Sequence, residues 1–471
     1  MHSPSEDACL EQTCAIEDLA PYANNARTHS KKQVRQIADS IRRFGFCNPV
    51  LIADDNTIIA GHGRVEAAKL IGMKEVPVRR LSHLSKYEVR AYILADNKLA
   101  ENAGWDRDLL AIEMQGLIDL DFDIEGLGFS TVEIDLTIGD KQQSSRETDA
   151  ALDRVEPVGQ GPAVTRAGDL WLLGPHRLLC GDARSKSDVA RLCDGKSATL
   201  LFTDPPYNVP IDGHVTGLGR IRHREFALAS GEMDEAAFTE FLTDSLEAAA
   251  SQLTDGAIAF VCMDWRHMRE VLAAGHAVFS ELKNLCVWNK TNGGMGSFYR
   301  SKHELVFVFK KGTAPHINTF GLGDTGRYRT NVWDYPGISS LGAARDEELA
   351  MHPTVKPVAL IADAIKDCSR RGDIILDVFG GSGSTLIAAD QCGRLARQIE
   401  IDPHYCDTII RRFERLTGDQ ARLAETGKVF ADVMADRLGK EEIGHQNTGI
   451  TGTFRSIADS SAVSALAEGD R

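Results

Sequence analysis

The sequence predicts an α/β protein in two parts, a parallel-sheet domain over residues 166–436 behind a smaller α+β domain over residues 15–136. Three observations carry that expectation. Strand-length apolar runs alternate with helix-length amphipathic runs from Asp169 to Leu416, the order of a sheet layered between helices. Two of the strands stop at turns of unusual chemistry, Asp204-Pro205-Pro206-Tyr207 and Gly380-Gly381-Ser382-Gly383. A chain of 471 residues is also long for one hydrophobic core.

In the first domain, residues 1–20 are polar and read as loose. Val34, Ile37, Ile41 and Phe44 recur at helical spacing, and Gly45 closes that helix. Residues 49–53 and 57–60 flank Asp54-Asp55-Asn56 as a hairpin. Gly61-His62-Gly63-Arg64 then leads into a helix over residues 65–71. Glycines ahead of a helix let backbone N–H groups approach an anion, with Arg64 reinforcing it; a plain tight turn with a surface arginine is the alternative. Residues 137–165 hold Lys141-Gln142-Gln143-Ser144-Ser145 and Val158-Gly159-Gln160-Gly161-Pro162, lack apolar periodicity, and read as a linker.

The second domain opens with a hairpin over residues 169–180, turning at Gly174-Pro175-His176. Asp182 follows as an N-cap candidate for a helix over residues 188–193. Leu200, Leu201 and Phe202 read as a buried parallel strand that two prolines stop. A carboxylate, a direction-fixed carbonyl and an aromatic ring therefore stand at the carboxyl end of a strand, where open α/β sheets place their chemistry. A helix over residues 235–253 and a strand over 257–263 continue the alternation. Two connections read as target-recognition loops. One spans residues 208–232 and carries Arg220, Arg222, His223 and Arg224; the other spans 288–345, where Lys290, Phe298, Tyr299, Arg300 and Lys302 interleave charge with aromatic rings. An ordinary solvated strand connection is the alternative for the second. Residues 437–471, rich in Gly, Ser, Thr and Ala, read as a disordered tail.

The glycine turn sits between a strand over residues 374–379 and a helix opened by Ser384 and Thr385, a unit that cradles nucleotides. The next strand, 396–401, ends in Glu400-Ile401-Asp402, and an acidic side chain there suits ribose hydroxyls. Gly-x-Gly-x-x-Gly spacing is not met, so no pyrophosphate is expected. Adenosine with an amino-acid tail fits better, which means S-adenosylmethionine. Asp377 and Phe379 would line the site, Gly381, Gly383, Ser384 and Thr385 form the cradle, and Glu400 hold the ribose. Ahead of it, Thr354 can cap a helix over residues 358–368, and Lys356 can pair with a carboxylate.

The tetrapeptide has a chemical sense of its own. An exocyclic amine on adenine or cytosine is a poor nucleophile, because its lone pair is delocalised into the ring. Asp204 and the Pro205 carbonyl can both accept hydrogen bonds from such an amine and turn its lone pair toward a methyl donor. Tyr207 offers a face on which an extruded base can stack, offsetting a cost of a few kcal/mol for unpairing. A proline-rich turn with a capping Asp is the plainer reading.

Net charge is −15, which argues against a uniformly basic surface. The acid is concentrated in residues 101–156, however, while Lys283, Lys290, Arg300, Lys302, Lys310 and Lys311 sit among few acids. The ten cysteines include no Cys-x-x-Cys pair, so neither a metal site nor a disulfide framework is expected, and a reducing cytoplasm is. There is no apolar run of membrane-spanning length and no signal pattern, so no membrane partner is expected.

Asp-Pro-Pro-Tyr followed by Phe379-Gly380-Gly381-Ser382-Gly383-Ser384-Thr385 resembles, in that permuted order, the β-class of DNA amino methyltransferases over residues 166–420. The resemblance implies a Rossmann-like S-adenosylmethionine-dependent methyltransferase domain with Asp204, Pro205, Pro206 and Tyr207 as catalytic residues. It places Asp182 on the cofactor's adenine and Lys356 near its methionine end. It implies site-specific methylation of adenine N6 in double-stranded DNA, since the family's cytosine members more often carry Ser where this chain has Asp204. Cytosine N4 is the alternative. No Pro-Cys dipeptide occurs, which disfavours cytosine C5 chemistry. Residues 15–125, with Asn48-Pro49-Val50, Ile58-Ile59-Ala60-Gly61-His62-Gly63-Arg64 and Val76-Pro77-Val78, resemble the ParB-like N-terminal domain. In that family the glycine-arginine segment helps bind a nucleotide. Here Gly-His-Gly-Arg, and Ala95-Asp96-Asn97-Lys98-Leu99 in place of Glu-Asn-x-x-Arg, weigh toward a DNA-tethering or structural role instead. A homodimer is left open. The rivals are methylation of RNA or of a protein amide, and a non-enzymatic DNA-binding factor.

Overall fold

The computed structural model describes residues 12–120, 122–141, 151–156, 158–159, 161–209, 231–291, 293, 298–320, 328–337 and 355–439. The chain divides into two compact units between Glu147 and Thr148, with the 318–329 stretch grouped with the first.

The first unit contains β1 (Gln12–Ala15), α1 (Lys31–Phe44), β2 (Val50–Ile52), β3 (Ile58–Ala60), α2 (His62–Leu70), β4 (Glu75–Arg80), α3 (Lys86–Asn102), α4 (Arg107–Asp119) and α5 (Thr131–Lys141). Its strands form a sheet in the order β1-β4-β2-β3, with β2 parallel to β4 and the other pairs antiparallel. Ser30 caps α1 by accepting from the Gln33 N–H, and Ser85 and Glu88 form a reciprocal capping box on α3. Residues 12–20 are not loose. Gln12–Ala15 pairs with β4, and Ile16 and Leu19 are buried with Val50, Ile52, Ile58, Val65, Val76 and Val78. Two apolar residues in a polar run show no periodicity, so the sequence gives no sign of them. The α2 helix starts at His62 rather than Val65, because Gly61 takes a left-handed φ of 106° and serves as the N-cap. His62, Gly63 and Arg64 are its first turn.

The second unit runs β5 (Leu170–Leu173), β6 (His176–Cys180), α6 (Lys186–Cys193), β7 (Ala198–Thr203), α7 (Glu235–Ala250), β8 (Leu253–Met263), α8 (Met268–Val278), β9 (Glu281–Asn289), β10 (His303–Lys310), β11 (Val332–Asp334), α9 (Val358–Cys368), β12 (Ile374–Asp377), α10 (Ser384–Gln391), β13 (Leu395–Glu400), α11 (Pro403–Thr417), β14 (Arg422–Leu423) and α12 (Phe430–Leu438). Among the described residues the sheet order is β11-β9-β10-β8-β7-β12-β13-β6-β5-β14. The centre, β8-β7-β12-β13-β6, is parallel throughout. Its strands are apolar on both faces, as a covered parallel sheet requires. Leu200, Phe202, Ile258 and Ile375 pack against α9, α10 and α11; Leu201, Ala259, Val261 and Leu376 pack against α6, α7 and α8. The result is a three-layer Rossmann-like α/β fold.

Several boundaries differ from expectation. α7 ends at Ala250, since Leu253 already belongs to β8. The Asp182 cap is replaced by Ser185, whose hydroxyl accepts from the Asp188 N–H. β14, an element not read from the sequence, pairs with Trp171 and Leu172. The 137–165 stretch is structured at both ends: α5 runs through Lys141, and the carboxylate of Asp407 accepts the N–H groups of Val164 and Thr165. Arg412 donates to the Leu152 carbonyl, and the Val358 N–H donates to Asp153 at 2.8 Å. Asp153 thus meets the N-terminus of α9; Thr354 lies outside the described residues, as do 210–230, parts of the second loop (292, 294–297, 321–327 and 338–345) and the tail 440–471.

Candidate active site

Four adjacent parallel strands deliver their carboxyl ends to one edge. β7 delivers Asp204, β12 the glycine turn, β13 Glu400 and β6 Asp182, with Leu201 opposite Leu376, Asp377 opposite Gln398, and Cys180 opposite Glu400. The helix after β12 leads to β13 on one side, and the helix after β7 leads to β8 on the other. The order in which strands are added therefore reverses between the parallel neighbours β7 and β12, which opens a crevice at that edge. Thr203 Oγ1 donates to Asp377 Oδ1 at 3.1 Å, so the two motif-bearing turns share one cleft.

On the β7 side, a chain of ionic groups runs Lys290, Glu304, Lys356, Asp204. Lys356 Nζ lies 2.6 Å from Asp204 Oδ2 and 2.8 Å from Glu304 Oε2, and Lys290 holds the other Glu304 oxygen. The Tyr207 hydroxyl donates to Asp204 Oδ1 at 2.7 Å, accepts from Lys356 at 3.0 Å and lies 3.2 Å from Glu304 Oε2. Two lysines hold Glu304 down at about 2 despite its burial. Asp204 moves the other way: burial and the Glu304 charge raise it more than its share of Lys356 lowers it. Burial and flanking carboxylates push the Tyr207 phenol up, and the two carboxylates keep Lys356 charged. Pro205 is buried, while Asp204, Pro206 and Tyr207 are half-buried.

On the β12 side, Gly381 (φ 52°) and Gly383 (φ 84°) are both left-handed. A Cβ on Gly381 would meet nothing within 4 Å, so the outer side of the turn is open; one on Gly383 would lie 3.1 Å from Ile409. Glu400 Oε2 accepts the Gly381 N–H at 2.7 Å and Oε1 the Asp402 N–H at 2.8 Å. Asp377 accepts from Thr203, the Phe379 N–H, Gln398 and Thr385, so it braces the turn. Burial pushes both Asp377 and Glu400 up to about 7. Phe379 packs against Phe241, and Ser384 faces the buried Arg412, which also donates to the Ser382 carbonyl. Asp182 stands beside the end of β13, paired with Arg184 at 2.7 Å.

The residues read from sequence as catalytic and cofactor-binding, from Asp182 to Glu400, thus lie along one edge. Glu304 is not among the catalytic or cofactor residues read from sequence, and sequence reasoning missed Thr203 and Gln398. Their only signal was position: Thr203 precedes the tetrapeptide, and Gln398 sits two residues before Glu400.

Comparison with known proteins matches this edge. Residues 198–411, which carry both turns, match the N6/N4 methyltransferase family model, described as a DNA methylase. Residues 3–98 match the ParB N-terminal domain and 108–167 the ParB-methyltransferase HTH domain. The chain carries an N6/N4 DNA methylase domain over residues 198–411 and a ParB-type domain over residues 3–98. The methylase is 56% identical over 70 residues to the ParB-like nuclease domain-containing protein YnaK of Escherichia coli (strain K12), spanning 15% of this chain and 80% of that protein. It is 25% identical over 234 residues to the type II methyltransferase M2.MboI of Moraxella bovis, spanning 47% and 82%. Among solved structures it is similar to the M1.HpyAVI–SAM complex (18% identity, 50% and 98% covered, TM-score 0.35) and to the cytosine-N4-specific PvuII DNA methyltransferase (17%, 50% and 85%, TM-score 0.38). The methylase uses S-adenosylmethionine as its methyl donor and acts on DNA. No helix among its described residues is long and apolar enough to cross a membrane. The HTH match begins within α4 and covers the whole 137–165 stretch read from sequence as a linker.

Proposed function

We propose that this methylase transfers a methyl group to the exocyclic N6 of adenine in double-stranded DNA. The observation that carries the reading is the Asp204 carboxylate, half-buried at the end of β7 and one bonded residue from the glycine turn through Thr203 and Asp377.

The glycine turn fits the donor. Its outer side is open at Gly381, and two buried carboxylates, each raised to about 7, stand behind it with no cation paired to either among the described residues. A positively charged sulfonium ligand bearing ribose hydroxyls matches that chemistry. Glu400 would hold the ribose, Gly381, Gly383, Ser384 and Thr385 the backbone cradle, Phe379 and Asp182 the adenosine end, and Lys356 the methionine end. When bound, S-adenosylmethionine supplies an electrophilic methyl carbon, displaced in line by the amine nitrogen.

This chain supplies alignment. Asp204 and the Pro205 carbonyl accept the two amine hydrogens, which turns the nitrogen lone pair toward the donor. Asp204, raised by burial, is also a suitable acceptor for the proton that leaves nitrogen as the new C–N bond forms. Pro206 fixes the direction of the Pro205 carbonyl. The Tyr207 ring, anchored through its hydroxyl to Asp204 and Lys356, gives the extruded base a fixed stacking face.

The deciding experiment is sequencing of DNA from cells expressing the protein with a method that distinguishes modified bases. N6-methyladenine within one recurrent sequence is expected. N4-methylcytosine, or no modification beyond that of control cells, overturns the reading.

A further inference from the structure

Glu304 lies 97 residues beyond Tyr207, outside both motifs, yet it is built into the centre of the site. It is the second residue of β10, opposite Trp288 of β9, and the Lys290 N–H donates to the Lys302 carbonyl just ahead of it. The two stem residues of this connection, Lys290 and Glu304, are ion-paired, and Glu304 extends its second oxygen to Lys356 and the Tyr207 hydroxyl. Glu304 and Asp204 therefore compete for one ammonium group, at 2.8 and 2.6 Å.

We propose that Glu304 is a positioning residue for methyl transfer: by taking part of Lys356, it leaves Asp204 a stronger acceptor for the base amine, and Lys290 sets how much it takes. This rests on the reading of Asp204 given above. The groups facing Asp204 are Lys356 ahead of α9, Tyr207 of its own turn, Glu304 of β10 and Cys262 of β8. Of these, Lys356 favours the ionised carboxylate by its charge and Glu304 opposes it. With Glu304 neutral, Lys356 turns wholly to Asp204, which becomes a weaker base and a poorer acceptor. With Lys290 removed, an unrestrained Glu304 draws on Lys356, and Asp204 becomes more basic.

The two changes have opposite signs, a pattern that simple loss of packing does not produce. The test measures single-turnover methyl transfer to duplex DNA against pH in the full chain, for wild type, Glu304→Gln and Lys290→Gln, with S-adenosylmethionine affinity alongside. Glu304→Gln is expected to move the acid limb of the rate profile down by about one pH unit. Its plateau rate should fall by about tenfold, with cofactor affinity within about twofold of wild type. Lys290→Gln is expected to move the limb up, and it stands as the test on its own should Glu304→Gln fail to accumulate folded. Unshifted limbs, or limbs shifted in the same direction, in variants of a wild type that does methylate DNA overturn this inference alone. A wild type that transfers no methyl group to DNA overturns the underlying reading and this inference with it.

Discussion

Thr203 and Asp377 are hydrogen-bonded at 3.1 Å across neighbouring strands, and this one contact ties the base-side turn to the cofactor-side turn. Thr203 is fully buried and Asp377 nearly so. Thr203→Val keeps the shape and removes the donor. A loss of about 1–2 kcal/mol in unfolding free energy is expected, the usual cost of leaving a buried polar group short of a partner. Chemical denaturation checks the stability, and a slower transfer rate at saturating cofactor checks the link to function.

Asp204→Ala should abolish methyl transfer while S-adenosylmethionine binding stays measurable by calorimetry, because the cofactor-side turn is built from β12 and β13. Full activity in that variant would remove the chemical basis for the assignment.

The carboxylates of Asp377 and Glu400 are raised in the folded state to about 7. Their protonated forms are favoured by folding, so this contribution to stability is complete below about pH 4 and is lost as pH rises through about 7. The cofactor-free protein should therefore lose melting temperature across that window, and Glu400→Gln should flatten the decline. A cationic ligand favours the ionised carboxylates, so cofactor binding near neutral pH should release protons. Calorimetry in buffers of different ionisation enthalpy reads this directly.

Gly381→Ala and Gly383→Ala separate fold from binding. Both positions have left-handed backbone, which costs an L side chain about 1 kcal/mol. At Gly383 the new methyl also meets Ile409, so the larger stability loss is expected there. At Gly381 it projects into open space over the turn, so weakened cofactor affinity with modest destabilisation is expected. Melting curves and binding isotherms of the two variants make the comparison.

Local chemistry was what the sequence could be read for. The strand, glycine turn and helix from Ile374 to Gln391 and the hairpin around Gly174 are fixed by residues next to one another, and the structure has them where the spacing places them. The tetrapeptide was equally visible, since prolines after an apolar run mark a strand end. Glu304 was not visible as a site residue, because its partners Lys356 and Tyr207 meet it through sheet order rather than through spacing. Gln12–Ala15 and Arg422–Leu423 escaped for a related reason: strands this short have no period, and each exists through its pairing with a distant strand.

The contacts of Leu152 and Asp153 bear on how this chain can be rearranged. The first binds Arg412, which also holds Ser382 and Ser384 of the glycine turn; the second binds the start of the helix two residues past Lys356. A chimera joined at residue 166, the start of the parallel-sheet domain as read from sequence, would discard both anchors. An exchangeable front module must be spliced upstream of Leu152, so the usable seam for swapping front domains lies inside the short stretch that follows α5.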